Sequence, residues 1–310
     1  MAMLKHVLHN HDGHVDDLLS CILLWLAPEI ELHAVGITNG DCIADQAFEA
    51  MIKIATYLDF EGAEIAVTED DVPNAFPDNW RRESYIINEL PLFSENDFKK
   101  PYQQGKGRRI EAAFADCLSH SKAPVTIVAT CPLTNIAKML RSQPELAENI
   151  AEVITMAGAI NVKGNVTEHG CDGSAEWNVY ADPKAFKEVM ELVPSMKLIP
   201  LDVTNTLPVT PDFLARLEAQ SEQYRASKLS AKLFSLVKGF EYYFWDTVTA
   251  AATIDASLFT FKEMKIDIAL QGRSIGKTSP SMFGGRKMQV ATAVDREKFE
   301  QLLLSILRDR

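Results

Sequence analysis

Short apolar runs rich in β-branched residues alternate along this chain with longer stretches of helical spacing. Runs at 5–9, 33–37, 64–67, 124–129, 152–156, 196–200 and 264–270 have the length and composition of strands. Between and after them, apolar positions recur every three or four residues over 17–26, 45–58, 109–119, 133–140, 183–192, 227–238, 246–255 and 296–307, which predicts helices. Such alternation predicts an α/β fold: an open, mostly parallel central sheet flanked by helices on both faces. In sheets of this kind ligands bind where turns leave the C-terminal ends of strands. Two connections are too long for simple turns. One, 70–107, carries four prolines and scattered charge; the other, 271–286, is rich in Gly and Ser. Loops of this length are usually lids or binding segments. No internal repeat interrupts the pattern, so residues 1–310 are expected to form a single domain.

The most polar stretch falls where that architecture puts chemistry. Residues 9–17 read His9-Asn-His-Asp-Gly-His-Val-Asp-Asp17, between the first strand and an apolar helix. Charge at this density is costly to bury unless a cation or polar ligand offsets it. Capping of the following helix needs one aspartate, yet Asp12, Asp16 and Asp17 are all present. A hard-cation site and a capped, solvated turn both fit the spacing.

Composition narrows the class. With 310 residues, 47% of them hydrophobic, the chain can bury a large core, and no run approaches a membrane span. A net charge of -12 argues against nucleic-acid polymers and anionic membranes as partners. Five cysteines, odd in number and without a Cys-x-x-Cys pair, suit reduced thiols. The opening residues lack a secretory pattern, so a cytoplasmic location is expected. Gly276-Lys-Thr278 lacks the upstream glycine of a phosphate-binding loop and opens no predicted helix.

Three further polar clusters sit at strand ends. Thr130-Cys-Pro-Leu-Thr-Asn135 follows the run at 124–129, and its proline suits a first helical turn. After 152–156 come Asn165 and then Glu176-Trp-Asn178, whose alternation would aim a carboxylate and an amide the same way in extended chain. Such a pair suits the vicinal hydroxyls of a sugar, and a solvated surface strand fits it equally. Tyr242-Tyr-Phe-Trp-Asp246 sets a carboxylate at the start of an apolar helix, where a simple N-cap is the competing reading.

Taken in order, these segments resemble the nucleoside hydrolase family over nearly the whole chain. The opening acidic signature matches at Asp12, Asp16 and Asp17. Cys131-Pro-Leu-Thr-Asn135 looks like the family's Gly-Pro-Leu-Thr-Asn, and Met156-Ala-Gly-Ala, Gly164-Asn165 and Glu176-Trp-Asn178 look like its ribose-binding block. Residues 290–299 look like its last strand and helix. Within the family, Trp80, Trp245 and Asp41 are similar to the purine-specific branch. The resemblance implies a Rossmann-like nucleoside hydrolase fold and calcium-dependent cleavage of the N-glycosidic bond of a purine ribonucleoside or related ribosylated compound. It implies Ca2+ held by Asp12, Asp17, Asp246 and the Thr130 carbonyl, with Asp12 as catalytic base. It further implies that Asp16, Asn165, Glu176 and Asn178 bind ribose, with His14, Asp41, Trp80, Met156 and Trp245 completing the substrate pocket. A homodimer or homotetramer is the expected assembly.

Two positions depart from the family pattern. Asn10 stands where the first aspartate is expected, which removes a negative charge near the metal. If that aspartate tunes its neighbours, the loss weakens metal affinity or the basicity of Asp12 by ~10–100-fold. His14 stands where the purine branch offers asparagine to the sugar. A second reading follows: a diverged member that binds a sugar or nucleoside without efficient turnover, or hydrolyses another glycosyl substrate.

Overall fold

The computed structural model describes residues 4–94, 107–239 and 241–308. Nine strands form one sheet: β1 (Lys5–His11), β2 (Ile30–Ile37), β3 (Glu64–Val67), β4 (Val125–Ala129), β5 (Ile150–Met156), β6 (Met196–Ile199), β7 (Phe259–Ile268), β8 (Thr278–Pro280) and β9 (Arg286–Val294). Their order is β3-β2-β1-β4-β5-β6-β9-β7-β8. Pairings from β3 through β9 are parallel, and β7 runs antiparallel to both β9 and β8. The expected open, mostly parallel sheet is therefore present, with an antiparallel edge.

Strand burial explains why the apolar runs were readable. All five residues of β4 are buried, as are Val7 to His11 of β1, because helices cover both faces. Val7 packs into one core with Leu18, Ile22 and Phe299; its neighbour Leu8 packs into the other with Phe114, Ile127 and Val153. Successive side chains alternate across the strand, so one central strand anchors two cores.

The chain builds outward from β1 through β2 to β3, then returns to start β4 on the other side of β1. This reversal opens a crevice at the C-terminal ends of β1 and β4. The Thr130 amide donates to the Asn10 carbonyl at 2.9 Å, holding the two exits side by side.

Several expectations need correction. β1 runs two residues further than 5–9, since His9 and His11 are buried in the sheet rather than exposed in a turn. The first helix starts at Val15, earlier than 17. The expected loop 271–286 contains β8, and β7 begins at Phe259, not 264; β8 is short and polar, and Arg286, Lys287, Gln289 and Thr292 interrupt the apolar residues of β9, which blurred the period. The 70–107 connection contains short helices at Asp78–Arg81, Glu83–Asn88 and Pro91–Ser94, while its residues 95–106 lie outside the described residues. Glu176-Trp-Asn178 is not extended. Glu176 caps the helix Trp177–Ala181, its carboxylate accepting from the Asn178 and Val179 amides.

Candidate active site

The crevice collects acids from distant parts of the chain. Asp12 leaves β1 through Gly13, whose φ of 92° and contact with the Ala47 side chain exclude any larger residue. The Asp41 amide donates to Asp12 Oδ2 at 3.0 Å. Asp17 accepts from the His14 amide at 3.0 Å and from Thr130 Oγ1 at 2.5 Å. Asp16 accepts from the Asp246 amide and from the Tyr242 hydroxyl, each at 2.8 Å. Asp17 thus does cap its own helix, but Asp246, at the start of Thr247–Ile254, makes no side-chain capping bond.

Burial pushes all three of Asp12, Asp17 and Asp246 upward, and neighbouring aspartates raise Asp17 and Asp246 further. Asp12 reaches about 7, with Asp41 the largest neighbouring charge. Among the described residues no lysine or arginine forms an ion pair with them. The His14 imidazole is the one cationic side chain at the rim of this cradle among the described residues, and it is engaged by Glu83 and Tyr242. One cation against Asp12, Asp16, Asp17 and Asp246 leaves excess buried negative charge, which a divalent ion with oxygen ligands suits.

A cavity of about 310 Å³ opens above the cradle. Asp12, Asp16, Thr130 and Asp246 form its floor, while Asp17 sits behind Thr130 and outside the wall. Met156, Asn165, Glu176 and Asn178 line one side. Asn178 Nδ2 donates to the Met156 carbonyl at 3.1 Å, and Asn165 Oδ1 accepts from the Trp177 amide at 3.0 Å. Glu176 also accepts from the Gly158 amide at 2.9 Å; burial outweighs its amide partners and lifts it to about 7. Trp80 and Trp245 belong to the same wall, as do Asp41 and His14.

Sequence reasoning missed Phe76, Glu83, Trp177 and Tyr242. Phe76 stacks on Trp177 with ring centroids 4.9 Å apart, and Trp80 meets Trp177 edge-on at 5.6 Å. Glu83, His14, Tyr242 and Asp16 form one chain of hydrogen bonds. His14 Nε2 lies 2.9 Å from Glu83, and its Nδ1 lies 2.7 Å from the Tyr242 hydroxyl that donates to Asp16. Burial disfavours the charged imidazole, but Asp41, Glu83 and Asp16 outweigh it and raise His14 to about 9. Both its ring nitrogens are already engaged. Nothing in the sequence marks Glu83, one of seven acids in the 70–107 connection; Tyr242 stood only four residues from Asp246.

The sequence profile described as inosine-uridine preferring nucleoside hydrolase matches residues 7–301. The chain belongs to this nucleoside hydrolase family. Similar solved structures include an inosine-uridine preferring nucleoside hydrolase from Bacillus anthracis. It is 29% identical, with a TM-score of 0.92, and the match covers 98% of this chain and 99% of that one. A purine-preferring ribonucleoside hydrolase from Gardnerella vaginalis, 20% identical, shares the fold at a TM-score of 0.82 over 98% of each chain. Among curated proteins, the non-specific ribonucleoside hydrolase RihC of Salmonella agona is 27% identical over 99% of this chain and 98% of its own length. A small-molecule nucleoside substrate is consistent with membership of this family. Among the described residues no helix is long and apolar enough to cross a membrane.

Proposed function

We propose that this nucleoside hydrolase cleaves the N-glycosidic bond of ribonucleosides, preferring purines, with calcium as its metal. The observation that carries this reading is the convergence of Asp12, Thr130 and Asp246 in one cavity, with Asp17 hydrogen-bonded to Thr130 just behind it and Trp80 and Trp245 in the same wall. Asp12, Asp17, Asp246 and the Thr130 carbonyl would hold the ion: hard oxygen donors, three of them anionic, are what calcium selects. When bound, the ion supplies positive charge that offsets these carboxylates and makes a neighbouring water easier to deprotonate.

Asp16, Asn165, Glu176 and Asn178 orient the ribose through its hydroxyls. Cleavage passes through an oxocarbenium-like state, and the carboxylates beneath the ring stabilise its developing charge. Asp12 takes the proton of the attacking water, whose hydroxyl joins the anomeric carbon as the C–N bond breaks. The departing base keeps the bond's electrons and takes a proton from solvent water, while the proton held by Asp12 returns to solvent. Trp80 and Trp245 favour its protonated, cationic ring by stacking, which suits the larger surface of a purine. Met156, Asp41 and His14 complete the pocket.

Steady-state hydrolysis of inosine, guanosine, uridine and cytidine by the calcium-loaded protein tests the reading. We expect higher kcat/KM for the purines and a loss of ~10²–10⁴-fold in Asp12→Ala. Absence of free base and ribose from every nucleoside overturns it. We place the protein in the cytoplasm as a homodimer or homotetramer, the assembly expected from the resemblance; sedimentation velocity reads the latter.

A further inference from the structure

Directly behind the acidic cradle lies a second cluster that the hydrolytic reading does not use. His9 and His11 stand two apart on β1, so both project to the face covered by the helix Val15–Leu26, which carries Cys21. All three are fully buried, and none lines the substrate cavity. One ring nitrogen of each histidine and the Cys21 sulfur lie within 4.8 Å of one another. The imidazoles stack with centroids 4.8 Å apart and planes 28° from parallel.

Their polar atoms are unsatisfied. Nδ1 of His9 and both ring nitrogens of His11 have no hydrogen-bond partner among the described residues. The remaining nitrogen, His9 Nε2, reaches only Thr130 Oγ1, at 3.4 Å. Imidazoles used merely to fill a core would be poor choices, since each orphaned buried polar atom is costly and an aliphatic side chain of similar size is not. Two nitrogen lone pairs and a sulfur facing one small volume are a coordination set.

We propose that His9, His11 and Cys21 form a second metal site, distinct from the acidic one, for a single soft ion of the zinc or copper(I) class. Nitrogen and sulfur donors exclude calcium and magnesium, which take oxygen, and favour thiophilic ions. Binding replaces the Cys21 S–H bond by a sulfur–metal bond, and the displaced proton goes to water; no electron is transferred. The thiolate then cancels one unit of the ion's charge inside the core. Because the site has no exposed atom, loading accompanies folding, and the ion ties β1 to its neighbouring helix.

Elemental analysis and X-ray absorption spectroscopy of the full-length protein, expressed with zinc and copper in the medium and then desalted into chelator-free, metal-free buffer, test the site. One zinc or copper per chain with a single sulfur and two imidazole nitrogens around it is expected, the element deciding between the two ions. That ion is expected to vanish in Cys21→Ser and to be lost independently in His11→Phe, which keeps a ring in the core. Wild-type protein that carries neither element, or a metal whose surroundings lack sulfur, overturns the proposal. So does full retention in Cys21→Ser, which would move the thiolate to another cysteine. The wild-type measurement decides even if a variant does not fold, and it reads no catalytic activity.

Discussion

Asn10 and Cys131, two residues where this chain differs from the family motifs it resembles, touch each other. Asn10 Nδ2 donates to Cys131 Sγ at 2.8 Å and to Thr38 Oγ1 at 2.5 Å, while the Thr38 hydroxyl donates onward to Asn135. The Thr38 proton is thus committed, and its oxygen needs a donor that an aspartate at position 10 cannot supply. Asn10→Asp alone is expected to destabilise the fold by about 1–3 kcal/mol, read from the midpoint of urea unfolding, rather than to restore a missing function. Glu176 gives a pH signature. Its folded value of about 7 lies above the ordinary 4.5, so the folded state prefers the protonated acid. The associated stability is fully present below pH 4.5 and is lost as pH rises through about 7. Linkage makes this on the order of 3 kcal/mol. The stability difference between wild type and Glu176→Gln should shift by that order across the window, with the wild type losing ground as pH rises; a flat difference contradicts the assignment.

At the scale of elements, the cavity is held by hydrogen bonds between segments far apart in sequence. Tyr242 joins the 83–88 helix, through His14, to Asp16. Tyr242→Phe removes both bonds while keeping the ring, and an increase in KM of roughly tenfold with smaller change in kcat is expected from nucleoside kinetics. Gly40 packs so tightly on Asp12 that an added Cβ would collide with its carboxylate. Gly40→Ala should therefore lower kcat strongly although no residue of the cavity wall has changed, with circular dichroism still showing a folded chain.

These links explain what could be read in advance. The central strands and the acid-bearing turn were legible because burial on both faces writes continuous apolar runs and leaves the polar exception conspicuous. Asp12, Asp16, Thr130, Glu176, Asn178 and Asp246 all reach the cavity expected of them. Glu83 and Phe76 were not legible, since their roles arise from contacts across the fold and carry no local period. The helix at Trp177–Ala181 was misread for a different reason: Glu176 caps the nearby Asn178 and Val179 amides, a local signal that an alternating reading hides, and only the Gly158 amide that also holds it comes from beyond β5. Its carboxylate was recognised, its backbone partners were not.

For the whole molecule, the decisive property is the reversal of strand order beside β1, which lets residues from both ends of the chain meet. Buried carboxylates that repel one another make the metal-free fold less stable than it would be with the ion in place. Calcium should raise the unfolding free energy by RT ln(1 + [Ca]/Kd), about 2.7 kcal/mol at a hundredfold excess over Kd. Thermal unfolding after chelation and after calcium is restored measures this, and equal midpoints would show that no ion occupies the cradle. The far edge contributes too: Thr278 of β8 hydrogen-bonds both the amide and the carbonyl of Ala159, at the start of the segment that carries Asn165 and Glu176.

The same wiring sets a timetable during synthesis. A ribosome-bound chain that has released β1 through β6 but not Asp246 owns six of the nine strands and an incomplete cradle. The acidic cluster is therefore completed late, when the helix beginning at Thr247 docks against the one beginning at Val15, and chains terminated before Asp246 are expected to release no base from nucleosides.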